Sequence, residues 1–137
     1  MKRIVAALAF ALLAGGHAGA ATTADGVAAY GLGLKQRNGI GMPVDLAGAR
    51  AAFARAAGAG VPAAMFTLAQ MLAAGEGGPR DDAGARRWIA QAAEQEYPEA
   101  LQQLAMEEPD PVRKDDLMRA AAHALEHRAH EGRGPGY

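Results

Sequence analysis

The chain has 137 residues and a formal net charge of −1, which is one domain's worth of sequence. Ala (36) and Gly (18) dominate it, aromatics make up only 5%, and neither Cys nor Ser occurs. This inventory excludes disulfides, thiolate metal sites and thiol or serine nucleophiles, and with no Lys/Arg cluster above the mean no nucleic-acid footprint is expected.

The first twenty residues read as an export signal. Lys2 and Arg3 form a positive start, Ile4 to Ala14 form an eleven-residue apolar run, and Ala18-Gly19-Ala20 fits the small-x-small cleavage pattern. The run is too short for a spanning helix, which needs about 20 apolar residues. Cleavage after Ala20 leaves residues 21–137, with 12 basic against 15 acidic side chains. The expected destination is the periplasm or the exterior, with no membrane span after cleavage.

Beyond the leader, the sequence repeats with a period of 36. Leu32 aligns with Leu68, Gly39 with Gly75, Gly41 with Gly77, Pro43 with Pro79 and Asp45 with Asp81. Ala47-Gly48-Ala49-Arg50 aligns with Ala83-Gly84-Ala85-Arg86, and Pro62 with Pro98. Ala-rich composition alone does not bring Gly, Pro, Asp, Arg and Leu into one register. The units are expected at about 26–61, 62–97 and 98–130, within a repeat domain spanning 21–130 and followed by a disordered tail at 131–137.

Each unit reads as two helices. The first helices are expected at Ala24–Arg37, Pro62–Ala74 and Pro98–Met106, and the second at Leu46–Ala57, Asp82–Glu94 and Asp115–Ala129. Pro62 and Pro98 suit a first helical position, where a missing N–H costs nothing. Asp45 and Asp81 suit N-caps, and the Gly-rich runs 38–41 and 75–78 suit helix stops. Gly48 and Gly84, unfavourable in helices, point to close helix–helix approach. Units that leave an apolar face for a neighbour to cover give a stacked α-solenoid. In the third unit Glu107-Glu108-Pro109-Asp110-Pro111 replaces the Gly loop, as in a degenerate cap.

The run Asn38-Gly39-Ile40-Gly41-Met42-Pro43-Val44-Asp45 with Ala49, Phe53, Ala56 and Ala57 resembles the Sel-one-like repeat, a relative of the tetratricopeptide repeat. Gly75-Glu76-Gly77-Gly78-Pro79-Arg80-Asp81 with Ala85, Trp88, Ala92 and Ala93 matches the same pattern, and the resemblance covers about residues 26–105. It implies an all-α fold: a short solenoid of two full helix pairs plus a degenerate C-terminal cap. It also implies a non-catalytic, exported scaffold that holds a partner protein or peptide on its concave face. An alternative within the family is a periplasmic immunity-type inhibitor of a secreted toxin. A subgroup labelled as β-lactamases is rich in Cys, and that label does not carry over to a chain without Cys or Ser.

If such a groove exists, its lining comes from first-helix side chains off the Leu32/Leu68/Leu104 stripe. The candidates are Tyr30, Lys35, Gln36, Met65, Thr67, Met71, Gln102 and Gln103, the two Met being suited to adaptable contacts. Trp88 is expected in the core rather than as a partner hot spot. The acidic run Glu94, Glu96, Glu99, Glu107, Glu108 and Asp110 is expected to be a solvated face, and Arg50, Arg86 and Arg87 are expected in ion pairs with capping Asp residues. His123-Ala124-Leu125-Glu126-His127 matches the inverted zincin pattern H-x-x-E-H. A metal-dependent hydrolase built on His123, Glu126 and His127 is disfavoured, because a third protein ligand and a cleft are missing from the pattern; adventitious binding of a transition metal fits the spacing better, and a solvated polar end of a helix is the expected reading. No cofactor and no resident metal are expected, and the chain is expected to be a monomer.

Overall fold

Three pairs of helices follow one another along the chain. The structure, a computed structural model, describes residues 22–132; the expected leader at 1–20 and the last residues of the expected tail lie outside them. The helices are α1 (Thr23–Asn38), α2 (Leu46–Gly58), α3 (Pro62–Ala74), α4 (Asp82–Glu94), α5 (Pro98–Glu107) and α6 (Pro111–Glu131). Each packs mainly on the helices before and after it in sequence. This is how a solenoid of stacked units is built.

Local chemistry sets the helix ends, and it repeats with the period of the sequence. The Asp45 and Asp81 carboxylates accept the backbone N–H groups of Gly48 and Gly84 at 2.9 and 2.8 Å, satisfying donors that no helical carbonyl reaches. Gly39 and Gly75 close α1 and α3 in the left-handed conformation, both at φ 68°. The turns before α3 and α5 also match: Val61 and Tyr97 donate to Ala56 and Ala92, and Pro62 and Pro98 follow at the first helical position. α1 has its own start, a capping box in which the Thr22 hydroxyl accepts from the Asp25 N–H and the Asp25 carboxylate accepts from the Thr22 N–H.

The core lies along the helix pairs and is made largely of Ala. Phe53 and Met71 are its largest fully buried side chains. Ala49, Ala56, Ala64, Ala92, Ala100 and Ala105 are completely covered around it. Tyr30 leans on Phe53 with ring centroids 5.6 Å apart, and Phe66 meets Tyr97 at the same distance in the next unit. Trp88 is half-buried against this core, as expected.

Small residues admit close approach, as α1 shows. A Cβ on Gly33 would stand 2.7 Å from the Phe53 ring, and one on Gly26 would stand 2.7 Å from the Ala59 methyl. Within α1, these two glycines let neighbouring elements press in. At Gly48 and Gly84 the nearest atoms belong to the capping carboxylates of Asp45 and Asp81, and at Gly48 the Gln36 side chain of α1 also comes within 2.7 Å of where a Cβ would stand. Their recurrence therefore serves the N-cap: the carboxylate folds back over a position with no side chain.

The third unit departs from the expected boundaries. α6 begins at Pro111, four residues ahead of the expected start, because Asp110 caps it by accepting from Val112 N–H at 2.9 Å and Pro111 takes the first helical position. It runs to Glu131, so the first residue of the expected tail is helical. No described helix is long and apolar enough to cross a membrane.

Candidate functional site

A trough opens where helices with small side chains face one another. Ala69 and Ala73 of α3, Ala85 and Ile89 of α4 and Leu104 of α5 give it an apolar lining over a volume of about 780 Å³. Leu104 and Glu107 are shared with a second hollow of about 650 Å³, continued by Leu117 and Ala120 of α6. The two hollows thus form one open surface running from the second unit onto the third.

Charge is distributed unevenly along this surface. At one end Arg80 pairs with Asp82 at 2.9 Å, and Arg86 stands beside them on α4. The hydrogen bond from Arg80 holds the Asp82 carboxyl below its ordinary range. Toward the other end lie Glu107, Glu108 and Asp116, with Arg113 among them. Gln103 donates to Glu107 at 3.2 Å and so orients that carboxylate at the rim.

Of the residues expected to line a groove, Gln103 reaches the trough. Met65 and Met71 do not: they are 4% and 0% exposed, held in the core between neighbouring helices, and have no face to offer a partner. Tyr30 is packed on Phe53, and the Thr67 hydroxyl is turned back onto the Ala63 carbonyl at 2.8 Å. Gln36 is half-buried close to Gly48. Lys35 is exposed near the end of α1, and Gln102 is half-buried on α5. Sequence reasoning gave Arg86 and Glu107 other roles and passed over the alanines of the lining, of which Ala73 and Ala74 are exposed and Ala69 and Ala85 form the buried floor. Their signal was weak but present: Ala69, Ala73 and Ala85 are small residues on helices that pack together, and small residues leave space.

The other charged candidates have separate roles. Arg50 donates to the Pro79 carbonyl at 2.7 Å instead of pairing with a capping Asp. Arg86 and Arg87 make no ion pair among the described residues. Glu99, expected to be solvated, takes two hydrogen bonds from Arg128 at 2.8 and 2.9 Å. Arg128 also lies 5.0 Å over the Tyr97 ring, a cation–π contact. On α6, His123 and His127 approach each other, and no group of three His, Cys, Asp or Glu suited to a metal occurs among the described residues.

No protein-family model matches the sequence, and no curated protein matches it significantly. Among solved structures the chain is similar to a Sel1 repeat protein from Oxalobacter formigenes, with 24% identity and a TM-score of 0.65. The fold is a Sel1-type repeat solenoid. The likeness covers 71% of this chain, and the chain spans 42% of the length of that protein.

Proposed function

We propose that this chain is an exported, non-catalytic scaffold that binds a partner protein or peptide in the trough of its second and third units. The observation that carries this reading is the trough itself: an apolar floor of Ala, Ile and Leu, rimmed by Arg80 and Arg86 at one end and by Glu107 and Glu108 at the other. An apolar strip anchors a partner side chain, and charges of opposite sign at its ends set the direction in which a segment lies. The repeat architecture adds support, because stacked helices provide extended binding surfaces. The lack of Ser and Cys supports a binding role over a hydrolytic one. The leader at 1–20 supports export, and mass spectrometry of the exported protein should then find Ala21 at its N-terminus.

The binding reading is tested by obstructing the trough without disturbing the core. Ala73 and Ala120 are exposed lining residues on helices, and Arg is a good helix former. Cross-linking capture from the exported fraction should recover a partner with the natural chain and lose it with both Ala73→Arg and Ala120→Arg. The same captured set with all three proteins would overturn the assignment of the trough.

A further inference from the structure

His123 and His127 stand four residues apart on α6, so their side chains rise from one face of the helix, one turn apart. Their Nε2 atoms are 3.2 Å apart, within hydrogen-bond distance, so that an ion bound between them takes the place of the shared proton, and the rings meet edge to face with centroids at 4.5 Å. Both side chains are exposed. Imidazole nitrogens that share one transition-metal ion, each at about 2.0–2.1 Å, must lie about 2.8–3.4 Å apart for coordination angles between octahedral and tetrahedral. The observed separation falls inside that window, so the two nitrogens already stand at the bite distance of a chelate.

The turn that carries them is also held in place. Arg128, next to His127, makes two hydrogen bonds to Glu99 at the start of α5 and lies over the Tyr97 ring. An ion therefore meets a pair of ligands whose helix is already anchored, which lowers the ordering cost of binding. No third His, Asp or Glu joins them among the described residues, so water completes the coordination. Two neutral imidazoles with open positions select borderline transition metals, in the order Cu(II) above Ni(II) above Zn(II), and give no purchase to Mg(II) or Ca(II), which take oxygen ligands.

We propose that His123 and His127 together form a surface binding site for one divalent transition-metal ion. It is independent of the trough, and calorimetric titration of the untagged full chain with each metal salt tests it. One ion should bind per chain, in the order Cu(II), Ni(II), Zn(II), with no heat from Mg(II). His123→Ala and His127→Ala should each weaken binding by about tenfold or more, while His130→Ala binds as the natural chain does. Circular dichroism of the metal-free variants should be unchanged, because both rings are exposed. The absence of Cu(II) binding by the natural chain would overturn the proposal, as would equal binding by the His123→Ala/His127→Ala double variant or an equal loss in His130→Ala.

Discussion

At the turn before α5, Glu96 holds φ 56°, a left-handed conformation that its counterpart Gly60, at φ 88°, adopts without a Cβ in the way. Two hydrogen bonds recur in both turns, from Gly60 and Glu96 to Ala57 and Ala93 and from Val61 and Tyr97 to Ala56 and Ala92, so the backbone geometry is imposed by the repeat and Glu96 bears the strain. Glu96→Gly should raise stability by about 0.5–1 kcal/mol, the relief of strain outweighing the added freedom of the unfolded chain. Urea denaturation, with an unchanged slope and a higher midpoint, is the check. Glycines within α1 should separate in the same assay. A Cβ on Gly31 meets nothing within 4 Å, so Gly31→Ala should gain about 1 kcal/mol of helix propensity. On Gly33 a Cβ would stand 2.7–3.0 Å from three atoms of the buried Phe53 ring, which has no room to retreat. Gly33→Ala should therefore lose about 1–3 kcal/mol through overpacking.

At the level of the helix, the caps carry stability that can be removed singly. The exposed Asp81 carboxylate accepts the N–H of the buried Gly84, and Asp81→Ala leaves that donor without its partner. The expected loss is about 1 kcal/mol, read as a lower melting temperature with the helical spectrum retained below it. These elements were also the most legible part of the sequence. The 36-residue register placed α2 through α5 because Asp45, Asp81, Pro62 and Pro98 name helix starts by their chemistry. It misplaced the start of α6, where the third unit abandons the register and uses Asp110 and Pro111 instead. It read Gly48 and Gly84 as helix contacts alone, which holds only in part at Gly48, where Gln36 of α1 comes close, because a recurring glycine does not reveal whether a helix or a carboxylate presses on it. The binding candidates were less legible still. Met65 and Met71 were chosen for lying off the Leu stripe, but a helix in a solenoid is covered by neighbours on more than one side, and a single stripe does not describe its buried surface.

Across the whole molecule, the junctions between units differ in how they are held. Units one and two share Phe53, Met65, Leu68 and Met71 in one buried cluster. Arg37 of α1 reaches across to Glu76 with two hydrogen bonds at 2.9 Å, and a Cβ on Gly77 would collide with the backbone of Leu46. The third unit has less: Ala121 is the one buried residue of α6, and the end of that helix is tied back by Arg128 on Glu99 and Tyr97. The Arg128 hydrogen bond holds the Glu99 carboxyl below its ordinary value of 4.5. A carboxyl depressed in the folded state contributes stability that is fully present above its unfolded value and is lost as pH falls through the lowered folded one. The pair is partly exposed, so its worth is about 1 kcal/mol or less, and the loss should be local to α6. Hydrogen-exchange protection factors should accordingly be lower in α6 than in α2 and α3 at neutral pH. Arg128→Ala should lower them further in α6 alone, and acidification to below the Glu99 range should reproduce that change in the natural chain but add little to it in the variant. Equal loss of protection in α2 and α3 would mean that the third unit is not separately held, and that the solenoid opens as a single cooperative body.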